Sequence, residues 1–378
     1  MAKIALIDDG VIVDYLNHNT KIKCWNLIHE RKCMRTTVTN CLNHATMCAL
    51  IIEKYASDFS LFSIQVMSQE EPRGEISHLV DALELCKGLD VDIISISIGS
   101  TKLSEHLLIG NIIDELVNNK IMVAASSNEE YLTIPAAYDK VIGVQTDKYK
   151  LLETNSFAYF ESLLGTQFIV NYNLDLEVLD ENHTQSNSYA VPVLVSHIND
   201  IMNNAIRDYD SVMKRLISKA KDSSIIQRIE AAKVIEAISA YRKTPTVGIV
   251  VNMDTLPATW CSDLLNYLSI IHGYEGIVLT NRKKNDDIRV RFLGNKSLTK
   301  SINYHCVHSR SDLVIAVMDN DVNSKHNVTN MLDLLVFFNR SRFEIYVDGE
   351  LIDINVKGKE LNPITVGDLI VDLFSKFA

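Results

Sequence analysis

Strand-length apolar runs alternate with longer helical patterns from the first residues onward, and no other feature constrains the fold as strongly. "KIALID" (3–8), "LFSIQVM" (61–67), "VDIISISIG" (91–99), "KIMVAAS" (120–126) and "KVIGVQT" (140–146) have the length and apolar content of buried strands. Between them, "NHATMCALIIEKYA" (43–56), "EISHLVDALELCKGL" (75–89) and "LLIGNIIDELVNN" (107–119) carry apolar residues at helical spacing. Such alternation predicts an α/β fold, a mostly parallel sheet with helices on both faces, in which ligands gather at the C-terminal edge of the strands.

Residues 196–243 change character to charged, helix-forming sequence without strand signals, and Pro245 in "KTPT" breaks the pattern. Alternation then resumes with "VGIVVNM" (247–253), a helix over "WCSDLLNYLSIIHG" (260–273), "EGIVLT" (275–280), "IRVRFL" (288–293), "DLVIAVM" (312–318), a helix around "NMLDLLVFFN" (330–339) and "RFEIYVDGELI" (342–352). The expected organisation is a first domain over 1–195, a helical segment over 196–243 and a second, smaller α/β domain over 246–378. With 47% hydrophobic residues in 378, there is enough apolar material for two cores.

A net charge of −11 without a basic patch argues against nucleic acid as a partner. No run reaches the roughly 18 apolar residues that a spanning helix needs, and "MAKIALIDDG" does not read as a secretory signal, so no membrane association is expected. Cys24, Cys33, Cys41, Cys48, Cys86, Cys261 and Cys306 are odd in number and lack CxxC spacing, which suits the reduced thiols of a cytoplasmic protein. Neither a phosphate-binding GxxxxGK[ST] loop nor a GxGxxG turn occurs, and Asp319 and Asp321 in "MDNDVN" read as a solvated loop. His78, His106, His183 and His197 have no metal-spaced partners.

Four residues fall where the strand ends of the first domain should meet. Asp8 ends the first strand at "IDDG", His44 opens a helix, Asn128 follows "IMVAASSN", and Ser188 opens the helix of "SNSYAVPVLVSHI", which carries a proline expected in its first turn. Acyl transfer needs a hydroxyl nucleophile, an imidazole base, a carboxylate to orient it and donors for the oxyanion, and these four supply one of each. A serine at a helix start also offers its own N–H at the positive end of the helix dipole. Taken singly each has a plainer reading: a turn after Asp8, a helix cap at Ser188, a surface histidine at His44. Cys48, four residues after His44 on an apolar helix, reads as a buried inert thiol.

Taken together and in this order, the segments resemble the subtilisin-like serine proteases. "ALIDDG" is similar to that family's aspartate strand with Asp9 in place of Ser or Thr, "HATMCAL" to H-G-T-H-V-A-G, and "SIG" (97–99) to its S-L-G strand. "AASSN" is similar to A-A-A-G-N, "IPAAYDKVIGV" to the proline–alanine turn, and "SNSYAVP" to G-T-S-M-A-x-P. The resemblance covers about 3–198 and implies a subtilisin-like sheet with Asp8, His44 and Ser188 as the catalytic residues and Asn128 as oxyanion donor. It further implies substrate binding by Ser97, Ile98, Gly99 and Ser127. Neither metal nor organic cofactor is implied. The implied partner is a peptide or protein, with leader removal from a ribosomally made precursor peptide as the substrate class suggested by a non-secreted form with an extra domain. Ala45, Met47, Ser127 and Asn187 depart from the family pattern. The competing reading is a pseudoprotease that binds a peptide or partner without cutting it. A small-molecule α/β hydrolase is disfavoured by the absence of G-x-S-x-G and by the order of the residues.

Overall fold

The computed structural model describes residues 1–28, 42–68, 74–128, 131–160, 162, 164–174, 186–229, 244–282, 287–294, 297–319, 332–339, 342–352 and 360–377. Cys33, Cys41, His183, Asp321 and the helical expectation for 230–243 lie outside the described residues. The chain forms two compact units, Met1–Thr101 with Glu105–Ile229, and Lys102–Ser104 with Glu230–Ala378.

In the first unit, β1 (Ala2–Asp8), β2 (Lys21–Asn26), β3 (Phe59–Gln65), β4 (Ile93–Ile96), β5 (Ile121–Ala125), β6 (Val141–Thr146), β7 (Ser156–Tyr159) and β8 (Thr166–Asn171) form one sheet in the order β2-β3-β1-β4-β5-β6-β8-β7. Every pair is parallel except β7 with β8. β1 shows why its sequence is a continuous apolar run: Ile4, Ala5, Leu6 and Ile7 are all buried, as expected for a parallel strand covered on both faces. The chain builds outward from β1 to β3 and β2 on one side and to β4, β5 and β6 on the other. The C-terminal ends of β1 and β4 therefore flank the crevice where such a sheet binds its ligands.

The first unit's helices among the described residues include α1 (His44–Tyr55), α2 (Ile76–Gly88), α3 (His106–Leu116), α4 (Asn187–Asn203) and α5 (Tyr209–Lys219). α1 and α4 share a core with β1, β5 and β6 that includes Leu6, Ala49, Ile52, Val123, Val144, Val191, Leu194 and Ile198. α4 is buried on nearly all sides, which explains why its sequence reads apolar all round rather than as a stripe. Its Pro192 is the sixth helical residue and not, as the sequence suggested, part of the first turn. α4 crosses residue 195 without a break, and α5 buries Val212 and Leu216 in the same core.

The second unit holds β9 (Thr246–Val251), β10 (Gly276–Thr280), β11 (Val290–Phe292), β12 (Leu313–Asp319), β13 (Leu334–Asn339), β14 (Arg342–Val347) and β15 (Glu350–Ile352), in the order β11-β10-β12-β9-β13-β14-β15. Its helices among the described residues are α6 (Trp260–His272), α7 (Leu298–His308) and α8 (Pro363–Phe377). The helix expected around 330–339 is instead β13, parallel to β9 and antiparallel to β14. A short apolar run such as "LLVFF" fits a buried strand and a buried helix equally well by periodicity, and two strand neighbours decided it. "RFEIYVDGELI" is two strands, folded back at Asp348 and Gly349, both in the left-handed region.

Gly143 in β6 permits a close approach of chain segments. A Cβ there would lie 2.7 Å from the Ala136 carbonyl oxygen and 2.8 Å from that of Gly165, and backbone cannot move aside as a side chain can. Gly143→Ala is expected to destabilise the first unit by roughly 1–3 kcal/mol, read from the urea midpoint. An unchanged midpoint would show that this approach is not a constraint.

Candidate active site

Two adjacent carboxylates at the end of β1 organise the site. Asp8 has no solvent exposure; one of its oxygens accepts the Asp9 N–H at 2.8 Å, and the other lies 2.7 Å from His44 Nδ1. The Asp9 carboxylate turns to the start of α1 and accepts the N–H groups of Ala45 at 2.7 Å and His44 at 3.2 Å. Free N–H groups at a helix start carry partial positive charge and need acceptors, so Asp9 fixes where α1 begins. Asn43 caps the same helix by accepting the Thr46 N–H at 3.2 Å, and its amide donates to the Gly10 carbonyl.

Ser188 enters from α4. Its Oγ is 2.7 Å from His44 Nε2, so Asp8, His44 and Ser188 form one continuous hydrogen-bonded chain. With the Nδ1 proton donated to Asp8, Nε2 is the acceptor for the Ser188 hydroxyl. Tyr189 stacks on the imidazole with ring centroids 4.7 Å apart. Pro192, lacking an N–H, cannot bond the Ser188 carbonyl four residues back. That carbonyl accepts instead from Ser97 Oγ at 3.4 Å.

The start of α4 is fastened by Asn187, which is buried. Its side-chain oxygen accepts the Thr146 N–H at 2.8 Å, and its amide donates to the carbonyls of Ser126 and Ser127, both at 3.0 Å. Tyr172 OH holds Ser186 from both sides, accepting its N–H and donating to its carbonyl, each at 2.8 Å. Burial pushes the Tyr172 hydroxyl up to about 12, which keeps it a donor.

Asn128 is exposed at the end of the β5 segment. Its Oδ1 accepts the Asn187 N–H at 2.8 Å, which turns its amide nitrogen to Ser186 Oγ at 3.1 Å. The Ser127 N–H donates to Thr133 Oγ1 at 2.8 Å. Ser97 is buried, so its side chain supports Ser188 from within, whereas Ile98 is half-buried and Gly99 exposed. A Cβ on Gly99 would fall 2.7 Å from Thr133 Cγ2 and 2.9 Å from the Ile134 carbonyl, so only glycine fits beside that segment. The next residue, Ser100, pairs with Ile134 in an antiparallel bridge.

Burial disfavours charge on His44, but the acidic groups beside it, Cys48 at 3.8 Å and Asp8 at 2.7 Å, outweigh burial and raise its pKa. Burial also raises the Cys48 thiol, so Cys48 is neutral near pH 7 and Asp8 is the group that favours the imidazolium. Asp8, His44 and Cys48 bring three atoms of metal-ligand type within 4.8 Å of one another. Asp8 and His44 are already bonded to each other there, and Cys48 keeps its proton, which fits a hydrogen-bonded cluster. The described cysteines Cys48, Cys86 and Cys261 are free thiols.

Sequence reasoning missed the parts of Asp9, Tyr172, Ser186, Asn187 and Tyr189. Asp9 had a signal, an acid beside an acid at a strand end; the contacts of Tyr172 with Ser186 carried none.

The family profile described as "Subtilase family" matches residues 1–217. The chain belongs to the subtilase family. Subtilases are serine peptidases, and this chain is one of them. No match was found among curated proteins. Among solved structures this subtilase is similar to a lanthipeptide protease at 14% identity, with a TM-score of 0.40 over 64% of this chain and 82% of that one. It is also similar to the prenylagaramide maturation protease PagA at 14% identity, with a TM-score of 0.38 over 55% and 79%. A cold-adapted subtilisin-like serine proteinase matches at 13% identity, with a TM-score of 0.42 over 58% and 84%. Among the described residues no helix is long and apolar enough to cross a membrane.

The Asp9 carboxyl is raised from 3.8 to about 6, by burial first and by the Asp8 charge second, against the helix N–H groups that lower it. A raised folded-state pKa means that the folded protein holds this proton more tightly than the unfolded chain does. Its contribution to stability is present in full below about pH 4 and is lost as the pH rises through about 6. The unfolding free energy of wild type relative to Asp9→Asn should therefore fall between pH 4 and 6 and level off above. A pH-independent difference between the two would show that Asp9 ionises as it does in water.

Proposed function

We propose that this subtilase hydrolyses peptide bonds with Ser188 as nucleophile, His44 as general base and Asp8 as the group that orients and charges-balances His44. The observation that carries the reading is the pair of 2.7 Å contacts linking Asp8, His44 and Ser188. Ser188 Oγ attacks the scissile carbonyl while His44 Nε2 takes its proton; Asp8 stabilises the resulting imidazolium without becoming protonated. The tetrahedral intermediate collapses as His44 returns the proton to the departing amine. Water then repeats the sequence on the acyl-enzyme, releasing the second product and restoring Ser188. Asn128 Nδ2 and the Ser188 N–H are the oxyanion donors in this reading. The substrate lies extended beside Ser97, Ile98 and Gly99, bonded through its main chain, and Ser127 narrows the pocket for the residue preceding the scissile bond.

The proposed substrate class is a ribosomally made precursor peptide, from which a leader is removed; it rests on the sequence resemblance. The second unit carries no motif of a catalytic or phosphate-binding kind in its sequence, and its proposed part is recognition of that substrate.

Two measurements test the roles. A fluorophosphonate should label the wild type at Ser188, and Ser188→Ala should not label, because only Ser188 is proposed to have a base within reach. Labelling of Ser188→Ala to the same extent would remove Ser188 from the role, and a wild type left unlabelled, with no labelling recovered in a variant of the residues around the Ser188 N–H, would favour a peptide-binding shell. The second measurement concerns pH. His44 acts as a base only when neutral, and Asp8 raises its pKa, so kcat/KM should climb as the pH rises and His44 loses its proton. Asp8→Asn removes the charge: the climb should move to lower pH, while kcat drops about 10⁴-fold through loss of the correct tautomer. A limb that stays in place would mean that another group controls it.

A further inference from the structure

Ser186 stands one residue before α4, at the position where the family pattern G-T-S-M-A-x-P has its glycine. Its Oγ lies 3.1 Å from Asn128 Nδ2, 3.4 Å from the Ser188 N–H nitrogen and 2.9 Å from Ser188 Oγ. Both proposed oxyanion donors thus already have an acceptor, and it is the same atom. An oxyanion formed on attack by Ser188 needs a position about 3 Å from those two donors. The Ser186 hydroxyl lies between the two donors, 3.1 Å from one and 3.4 Å from the other.

The hydrogens can be assigned consistently. His44 donates from Nδ1 to Asp8 and accepts the Ser188 hydroxyl proton at Nε2. Ser186 Oγ accepts from Asn128 and from the Ser188 N–H, and its own proton is then free for the Ser188 oxygen. In this arrangement Ser186 takes up both oxyanion donors and a lone pair of the nucleophile. Its backbone is held in place by Tyr172, so only the side chain is able to leave.

We infer that Ser186 is a positioning residue that fills the oxyanion site of the free enzyme and must rotate away before the substrate carbonyl can enter. The inference rests on the proposed role of Ser188 as nucleophile. The backbone of Ser186 is extended, with φ −133° and ψ 148°, and a serine there reaches another staggered χ1 well without backbone change. What is lost on rotation is a helix cap, because the hydroxyl that blocks the site is also the acceptor that caps α4. The same N–H of Ser188 cannot serve the cap and the oxyanion at once. Each turnover therefore exchanges a capping hydrogen bond for an oxyanion hydrogen bond, and the net stabilisation of the transition state is smaller than with glycine at this position.

The test uses the full chain and compares wild type with Ser186→Gly, Ser186→Ala and Ser186→Thr. It measures the second-order rate of inactivation by a fluorophosphonate and the inhibition constant of a peptide boronic acid, whose adduct places an oxygen in the oxyanion site. Gly and Ala remove the hydroxyl and should react roughly three- to tenfold faster, with boronate binding tightened by a similar factor, the range set by loss of one capping interaction. Thr keeps the hydroxyl and should remain within about twofold of wild type if the cap governs the barrier. Glycine is nearly as good a cap as serine, so Ser186→Gly keeps the measurement decisive even where the Ala variant loses stability. Slower reaction of the Gly variant would make Ser186 an oxyanion donor in its own right and overturn the inference; equal rates for wild type and Gly would make it a spectator and overturn it as well. If neither wild type nor Ser186→Gly is labelled, the reading of Ser188 as nucleophile fails and the inference falls with it. Labelling of Ser186→Gly alone would support the inference in its strongest form.

Discussion

A carboxylate shut off from water must find its hydrogen-bond donors inside the protein, and the burial of Asp8 at the end of β1 is the constraint from which the site follows. It has two partners, the Asp9 N–H and His44 Nδ1. The second partner sits on the first residue of α1, so satisfying Asp8 fixes the rotation and height of that helix. Asp9 completes the fixation by accepting the first N–H groups of the same helix. Two neighbouring acids thus act on one helix start, one through a side chain and one through the backbone. Their proximity has a cost: the charge on Asp8 is one reason that Asp9 holds its proton so firmly.

The start of α4 solves a similar problem with neutral groups. A helix end brought into the interior carries N–H groups that water cannot reach. Ser186, Asn187, Asn128 and Tyr172 form a closed set of contacts around it, tied to the ends of β5 and β6 through Ser126, Ser127 and Thr146. Ser188 is held at the one point where both systems meet. Its Oγ faces the ring that Asp8 orients, its N–H faces the cap, and its carbonyl is released by Pro192 to the Ser97 hydroxyl. Stability and reactivity are written in the same few atoms.

What was legible in the sequence follows from which interactions are local. The first sheet could be read because its strands are buried on both faces and separated by amphipathic helices, two patterns carried by consecutive residues. Asp8, His44, Asn128 and Ser188 could be picked out because each sits in a short segment with a recognisable pattern. β13 could not, since "LLVFF" is apolar in either secondary structure and only its pairing with β9 and β14 makes it a strand. β7 was passed over for a related reason: at the sheet edge it is a run of four residues with mixed burial, paired only with β8. Tyr172 lies 14 residues before Ser186 in sequence, with nothing in its neighbourhood to announce the contact. Ser186 was in plain view in "SNSYAVP", but the sequence reading puts the cap at Ser188, whereas the residue that caps α4 is Ser186, two positions earlier.

The difficulty at Ser186 is that one hydroxyl satisfies a local rule so well. Agreement between local preference and global fold makes a sequence foldable, and departures from it concentrate at functional sites. Here the local rule is obeyed: a serine caps α4, its backbone is clamped, and every donor around it has an acceptor. In the proposed reading, full satisfaction in the free protein is the unusual feature of a site that has to stabilise a transient negative charge. An oxyanion donor is most effective when it is held in place without a partner, because nothing then has to be broken as charge develops. In the proposed reading the stability of a capped α4 and the readiness of the oxyanion site draw on the same Ser188 N–H, which the free protein gives to the Ser186 cap.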